Sequence, residues 1–82
     1  MRALYKRKSD PLVRAVFFND THVAVIRVKE MLPDHIVELV NGTLVIDGEL
    51  EAELGEYVVR FSKGDIIILP QKMFEDNWEL VK

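Results

Sequence analysis

Ile36-Val37-Glu38-Leu39-Val40-Asn41-Gly42-Thr43-Leu44-Val45-Ile46-Asp47 is the stretch on which the fold turns. Asn-Gly is the preferred pair for a two-residue type I′ turn, because both central residues need positive φ. Apolar residues alternate on both sides of it, the period of a half-buried strand. The turn also sets the register. Leu39 faces Leu44 and Val37 faces Ile46, which makes one face wholly apolar, while Glu38 opposes Val45 on the other.

Downstream, Asp47-Gly48 turns the chain again, and Glu49 to Leu54 alternates strictly, with Leu50, Ala52 and Leu54 on one side and Glu49, Glu51 and Glu53 on the other. Gly55 permits a bend. Tyr57–Phe61 and Ile66–Leu69 read as a second hairpin around Ser62-Lys63-Gly64-Asp65. With Lys63-Gly64 as its turn, Phe61 opposes Ile66 and Val59 opposes Ile68. Both strands then look apolar on both faces and central. Pro70 closes the second of them, and Met73 to Val81 reads as a short helical turn or a final edge strand, anchored by Phe74 and Trp78.

Upstream, Arg2 to Lys8 reads as a short strand whose charge suits a sheet edge. Leu12 to Phe18 is a second strand by its β-branched and aromatic content. Asn19-Asp20-Thr21 is a helix-start signal, since short polar side chains accept hydrogen bonds from free backbone N–H groups. Thr21 to Met31 permits either a helix, with Ala24, Val25, Val28, Met31 and Leu32 on one broad face, or a strand, through Val23, Val25, Ile26 and Val28, since Val and Ile are stiff at χ1. Helix is the reading adopted here, and Pro33 ends it either way. The expectation is one domain over 1–82 of α+β class: a strongly bent antiparallel sheet or small half-open barrel of five to six strands, with one short helix.

Composition narrows the function classes. The 82 residues are 49% hydrophobic and 30% charged, an ordinary globular balance. The absence of cysteine excludes disulfide frameworks, thiolate zinc sites and thiol nucleophiles. No apolar run approaches the ~20 residues of a membrane span, and no signal-like apolar stretch follows the basic N-terminus. These readings predict a soluble, cytoplasmic protein that is a monomer or small homo-oligomer, with no membrane partner.

Charge is strongly segregated. Residues 1–14 hold Arg2, Lys6, Arg7, Lys8 and Arg14 against Asp10, whereas residues 30–57 hold eight acids and no Lys or Arg. No catalytic, metal or cofactor motif accompanies this split, so no enzymatic role is expected. The four glycines sit singly in turns rather than in a phosphate-binding loop. His22 and His35 have no partners at metal-ligand spacing. Glu49, Glu51 and Glu53 would repeat about every 7 Å along one strand face, too far apart to close on one cation unaided.

What is left is binding. The acidic stretch Glu49, Glu51, Glu53 and Glu56, with Tyr57 and Trp78 as aromatic anchors, is the candidate protein-contact surface. The basic arm Tyr5-Lys6-Arg7-Lys8 is the alternative, a nucleic-acid contact, though the acidic remainder of the chain would repel phosphates. A sequestering binder of a small nucleotide-like ligand is a third class.

Taken in order, the segments carry a resemblance. Leu4-Tyr5-Lys6-Arg7-Lys8, Pro11 and Val13-Arg14-Ala15-Val16-Phe17-Phe18 open the chain; Leu54-Gly55-Glu56-Tyr57-Val58-Val59-Arg60 and Ser62-Lys63-Gly64-Asp65 follow; Met73-Phe74-Glu75 and Trp78-Glu79 close it. In these motifs the sequence resembles a family of small, mostly uncharacterised bacteriophage and prophage proteins of bacteria. It departs from them at Ser9-Asp10, which lengthens the first turn, at Leu54, where proline is usual, and in lacking a late cysteine. The resemblance implies a phage- or prophage-encoded accessory protein acting in the bacterial host cell on a host or phage protein. It also implies a helix after Phe18, and brings no activity, cofactor or catalytic residue.

Overall fold

The computed structural model describes residues 3–7 and 12–80. The class is α+β and every strand pairing is antiparallel, with no closed barrel. In chain order the elements are β1 (Ala3–Arg7), β2 (Leu12–Phe18), α1 (Thr21–Met31), β3 (Val37–Val40), β4 (Thr43–Ile46), β5 (Leu50–Ala52), β6 (Glu56–Phe61), β7 (Ile66–Pro70), α2 (Gln71–Asn77) and β8 (Trp78–Leu80). The strands divide into a five-stranded sheet, β7-β6-β2-β1-β8, and a three-stranded sheet, β3-β4-β5. Division rather than one long bend covers the apolar surface, because β3-β4-β5 and α1 together close one face of the larger sheet.

Asp20 starts α1. Its backbone is extended (φ −147°, ψ 116°), and its carboxylate accepts the N–H groups of His22 (3.0 Å) and Val23 (3.1 Å), two of the donors a helix start leaves unmatched. The cap and the inward spacing of Ala24, Val28 and Met31, all buried, outweigh the strand tendency of the β-branched residues. At the other end Arg60 Nη1 donates to the Met31 carbonyl (2.8 Å), placing a cation where the helix dipole is negative. Arg60 lies opposite Arg14 in the β2–β6 ladder, and this bond gives one of two facing cations a partner.

Two cores result. One joins Val16, Phe18 and Val58 of the large sheet to α1 and to Val37, Leu44, Ile46 and Ala52 of the small one. The other lies on the opposite face of the large sheet, where α2 lays Phe74 over Tyr57, beside Val13, Ala15, Val59 and Trp78. β6 therefore has buried residues on both faces: Tyr57, Val58 and Val59 are all buried.

The first hairpin has the expected register, Val37↔Ile46 and Leu39↔Leu44, with Asn41 at φ 50° and Gly42 at φ 83°. Its apolar face is less covered than predicted. Val37, Leu44 and Ile46 are buried, but Leu39 is 44% exposed, because β3 is an edge strand with a sheet neighbour on one side only.

The second hairpin differs from expectation by one residue. Arg60 pairs with Ile66 and Val59 with Ile67, not Phe61 with Ile66. Gly64 N–H donates to the Phe61 carbonyl and Phe61 N–H to the Asp65 carbonyl, both 2.9 Å. Ser62, Lys63 and Gly64 thus form a three-residue loop, with Gly64 alone at positive φ (98°). A Lys63-Gly64 type I′ turn would have required positive φ at lysine, a conformation costly to a side chain with a Cβ.

Further differences are local. β7 is an edge rather than a central strand, and β1 is interior, flanked by β2 and β8. β5 is only Leu50–Ala52, since Glu53 to Gly55 turns the chain: Glu56 N–H donates to the Glu53 carbonyl (3.1 Å) and Gly55 has φ 93°. Both expectations for the C-terminal segment occur in succession, as α2 and then β8.

Candidate functional site

The acidic stretch becomes the three-stranded sheet and its connections. Glu38, Val45 and Glu51 stand in one cross-strand row, on the face turned away from Leu44, Ile46 and Ala52. Glu49 precedes β5 and Glu53 follows it, so Glu51 alone of the three predicted face residues lies within the strand. Among the described residues, the carboxylates of Glu38, Glu49, Glu51 and Glu53 make no ion pair. Mutual repulsion across such a face is weakened by solvent but finds no cation here to offset it. Glu56 is committed locally, accepting the Glu53 N–H at 2.7 Å.

Beside these carboxylates lies apolar surface. Ile36 is 67% exposed and Val40 47%, immediately before and at the end of the edge strand β3, while Leu39, 44% exposed, opens at the same edge on the opposite, inward face. On α1, the element packed against β3, Val23 and Ile26 are exposed as well. Sequence reasoning missed this edge because it assumed that hairpin alternation alone would bury every inward residue.

Two predicted anchors are corrected. Tyr57 is 5% and Trp78 8% exposed, so neither offers a ring to a partner. They belong to an aromatic stack in which Tyr57 and Phe74 lie 4.1 Å apart, and Phe74 and Trp78 5.2 Å apart at 6°. Phe17 and Phe61 flank it at 4.8 Å from Tyr57 and 6.5 Å from Trp78. The Tyr57 hydroxyl donates to Glu75 Oε2 (2.9 Å), which also accepts from Gln71 Nε2 (3.2 Å). Burying these rings removes more apolar area from water than any exposed position could.

The basic arm forms part of β1, with Tyr5 in register with Val13 and Leu80, Lys6 with Leu12 and Glu79, and Arg7 with Trp78. Lys8 lies outside the described residues.

The histidines also separate. His22 lends only its backbone N–H to Asp20. His35 Nδ1 donates to Asp47 Oδ2 at 2.6 Å, and Asp47 Oδ1 accepts the Ile36 N–H at 2.8 Å. The His35 hydrogen bond and then the Ile36 N–H hold the Asp47 carboxyl below its ordinary value of 3.8. Asp47 N–H in turn donates to the Ile36 carbonyl (2.8 Å), so this pair ties off the open end of the first hairpin. Extending the predicted register by one step, Ile36 against Asp47, would have revealed it.

No group of three or more His, Asp or Glu able to hold a metal occurs among the described residues. None of their helices is long and apolar enough to cross a membrane. Comparison with protein-family models, with curated proteins and with solved structures finds no match.

Proposed function

We propose that the protein is a non-catalytic binding domain whose three-stranded sheet docks a protein surface combining basic and apolar side chains. The observation that carries this reading is the placement of exposed Ile36 and Val40 on the same side of the sheet as the unpaired carboxylates of Glu38 and Glu51. Apolar contact there would supply affinity, and the carboxylates would select a cationic partner and speed encounter. The contact surface is thus placed nearer β3 than the segment Glu49 to Glu56 alone. The resemblance to small phage and prophage proteins supplies the setting: an accessory protein acting inside a bacterial cell on a host or phage protein. That setting rests on the sequence motifs only.

The test is a nuclease-treated pull-down from bacterial lysate, comparing the wild-type chain with Glu38→Lys/Glu51→Lys and with Val40→Ser. A protein retained by wild type and lost by both variants, each still folded by circular dichroism, supports the reading. Equal retention by all three, or recovery of nucleic acid alone before nuclease, overturns it.

A further inference from the structure

The outer edge of β7 is a second feature: β5 packs on the inner face of this strand through Leu50 and Ala52, and its outer edge has no ladder partner among the described residues. Ile66, Ile67, Ile68 and Leu69 are consecutive, uncharged and only half-buried, and β7 ends the five-stranded sheet with β6 as its single ladder partner. Monomeric proteins normally blunt such an edge with lysine, proline or a bulge. Here nothing interrupts the four aliphatic residues until Pro70.

Both cores run out at this edge. Ile66 and Ile68 pack against the core beneath α1 and the small sheet, while Ile67 and Leu69 pack against the one beneath α2. An occupant that continues both must bring an apolar strand with the same alternation on both faces. β7 of a second copy meets that requirement. A two-fold axis perpendicular to the sheet pairs two β7 strands antiparallel and preserves faces, so each core continues into its own counterpart. That symmetry places either Ile67 or Ile68 directly against the same residue of the second copy. Asp65 precedes the strand, two residues after Lys63, and Lys72 follows it, paired with Asp76 at 3.3 Å on the exposed surface; antiparallel copies bring Asp65 of one toward Lys72 of the other at each end.

The other edge limits growth. β8 has three residues, Trp78–Leu80, with Glu79 in register with Lys6, too short and charged to extend the sheet in the same way. The product is a closed pair rather than a fibre.

We propose that the chain forms a two-fold homodimer through antiparallel β7–β7 pairing, giving a continuous ten-stranded sheet. The chain lacks cysteine, which makes the test direct. Ile67→Cys and Ile68→Cys are each oxidised under mild conditions, with Glu38→Cys on β3 of the acidic sheet as control. Sedimentation of the wild-type chain is measured alongside. The expected result is twice the 9.5 kDa chain mass for wild type, and covalent dimer from one or both β7 variants with little from the control. Single-chain mass at every concentration overturns the proposal, as does cross-linking from Glu38→Cys equal to that from β7. Because conservative cysteine substitution could still weaken the pair, Asp65→Lys is the second probe: it leaves the fold intact and weakens the wild-type dimer, and an unchanged dimer counts against this register.

Discussion

The two sheets are built from similar hairpins yet serve opposite ends. In the five-stranded sheet β6 is buried on both faces, one beneath α1 and the small sheet and the other beneath α2 and its aromatic stack. The three-stranded sheet buries one face, Val37, Leu44, Ile46 and Ala52, and leaves the other to Glu38, Val45 and Glu51. A strand buried twice is held by packing, whereas a strand buried once keeps a face available for selection by charge. The molecule thus separates the sheet that makes it fold from the sheet proposed to make contact.

That contrast is sharpest in core truncation. Phe74→Ala removes the middle ring of the stack and is expected to cost about 3–5 kcal/mol, read from chemical denaturation. Leu44→Ala, fully buried in the small sheet, falls in the range of about 2–5 kcal/mol for such truncations, and is expected at its lower end because its sheet packs on one side. A Leu44→Ala loss equal to or above that of Phe74→Ala would break the comparison, by making the small sheet an equal part of the folding core.

Turn and cap chemistry come next. Gly42→Val forces a β-branched residue to φ 83° and is expected to destabilise by about 1–2 kcal/mol. The measurement is a shift in denaturation midpoint, and no shift would mean that the turn relaxes to another type. Asp20→Ala removes the α1 cap at about 1 kcal/mol. An effect well below that would show tertiary packing alone sets the start of α1.

Acid should act on the open end of the first hairpin through Asp47. The folded-state pKa of Asp47 is depressed, so its contribution is present above the ordinary carboxyl value of 3.8 and is lost as pH falls through the depressed one. Amide exchange at Ile36 is expected to accelerate there, and Asp47→Asn to remove the pH dependence. Smallest in stability is Glu51→Lys, exposed and unpaired, expected within about 0.5 kcal/mol of wild type while lowering affinity for a basic partner. A large stability loss would show that this carboxylate supports the fold and is not simply free for contact.

Legibility followed the range of the interactions involved. The site was half legible: charge segregation marked the small sheet, but the exposed edge at Leu39 and Val40 depends on where α1 and β3 end up relative to each other. The slipped register of β6–β7 came from a choice between a two- and a three-residue loop that Ser62-Lys63-Gly64-Asp65 leaves open, and it flips which isoleucine enters which core.

By itself the sequence determined the Asn41-Gly42 hairpin and its register, a helix-start signal at Asn19-Asp20-Thr21, the strand Leu12–Phe18 and the acidic character of residues 30–57. Each depends on neighbours a few residues apart, where backbone sterics and side-chain hydrogen bonds dominate. Only the tertiary structure decided the division into two sheets, the burial of Tyr57 and Trp78, the His35–Asp47 tie and the position of β7 at an edge. Those outcomes depend on which apolar faces meet across the chain, and burial of area is indifferent to sequence order.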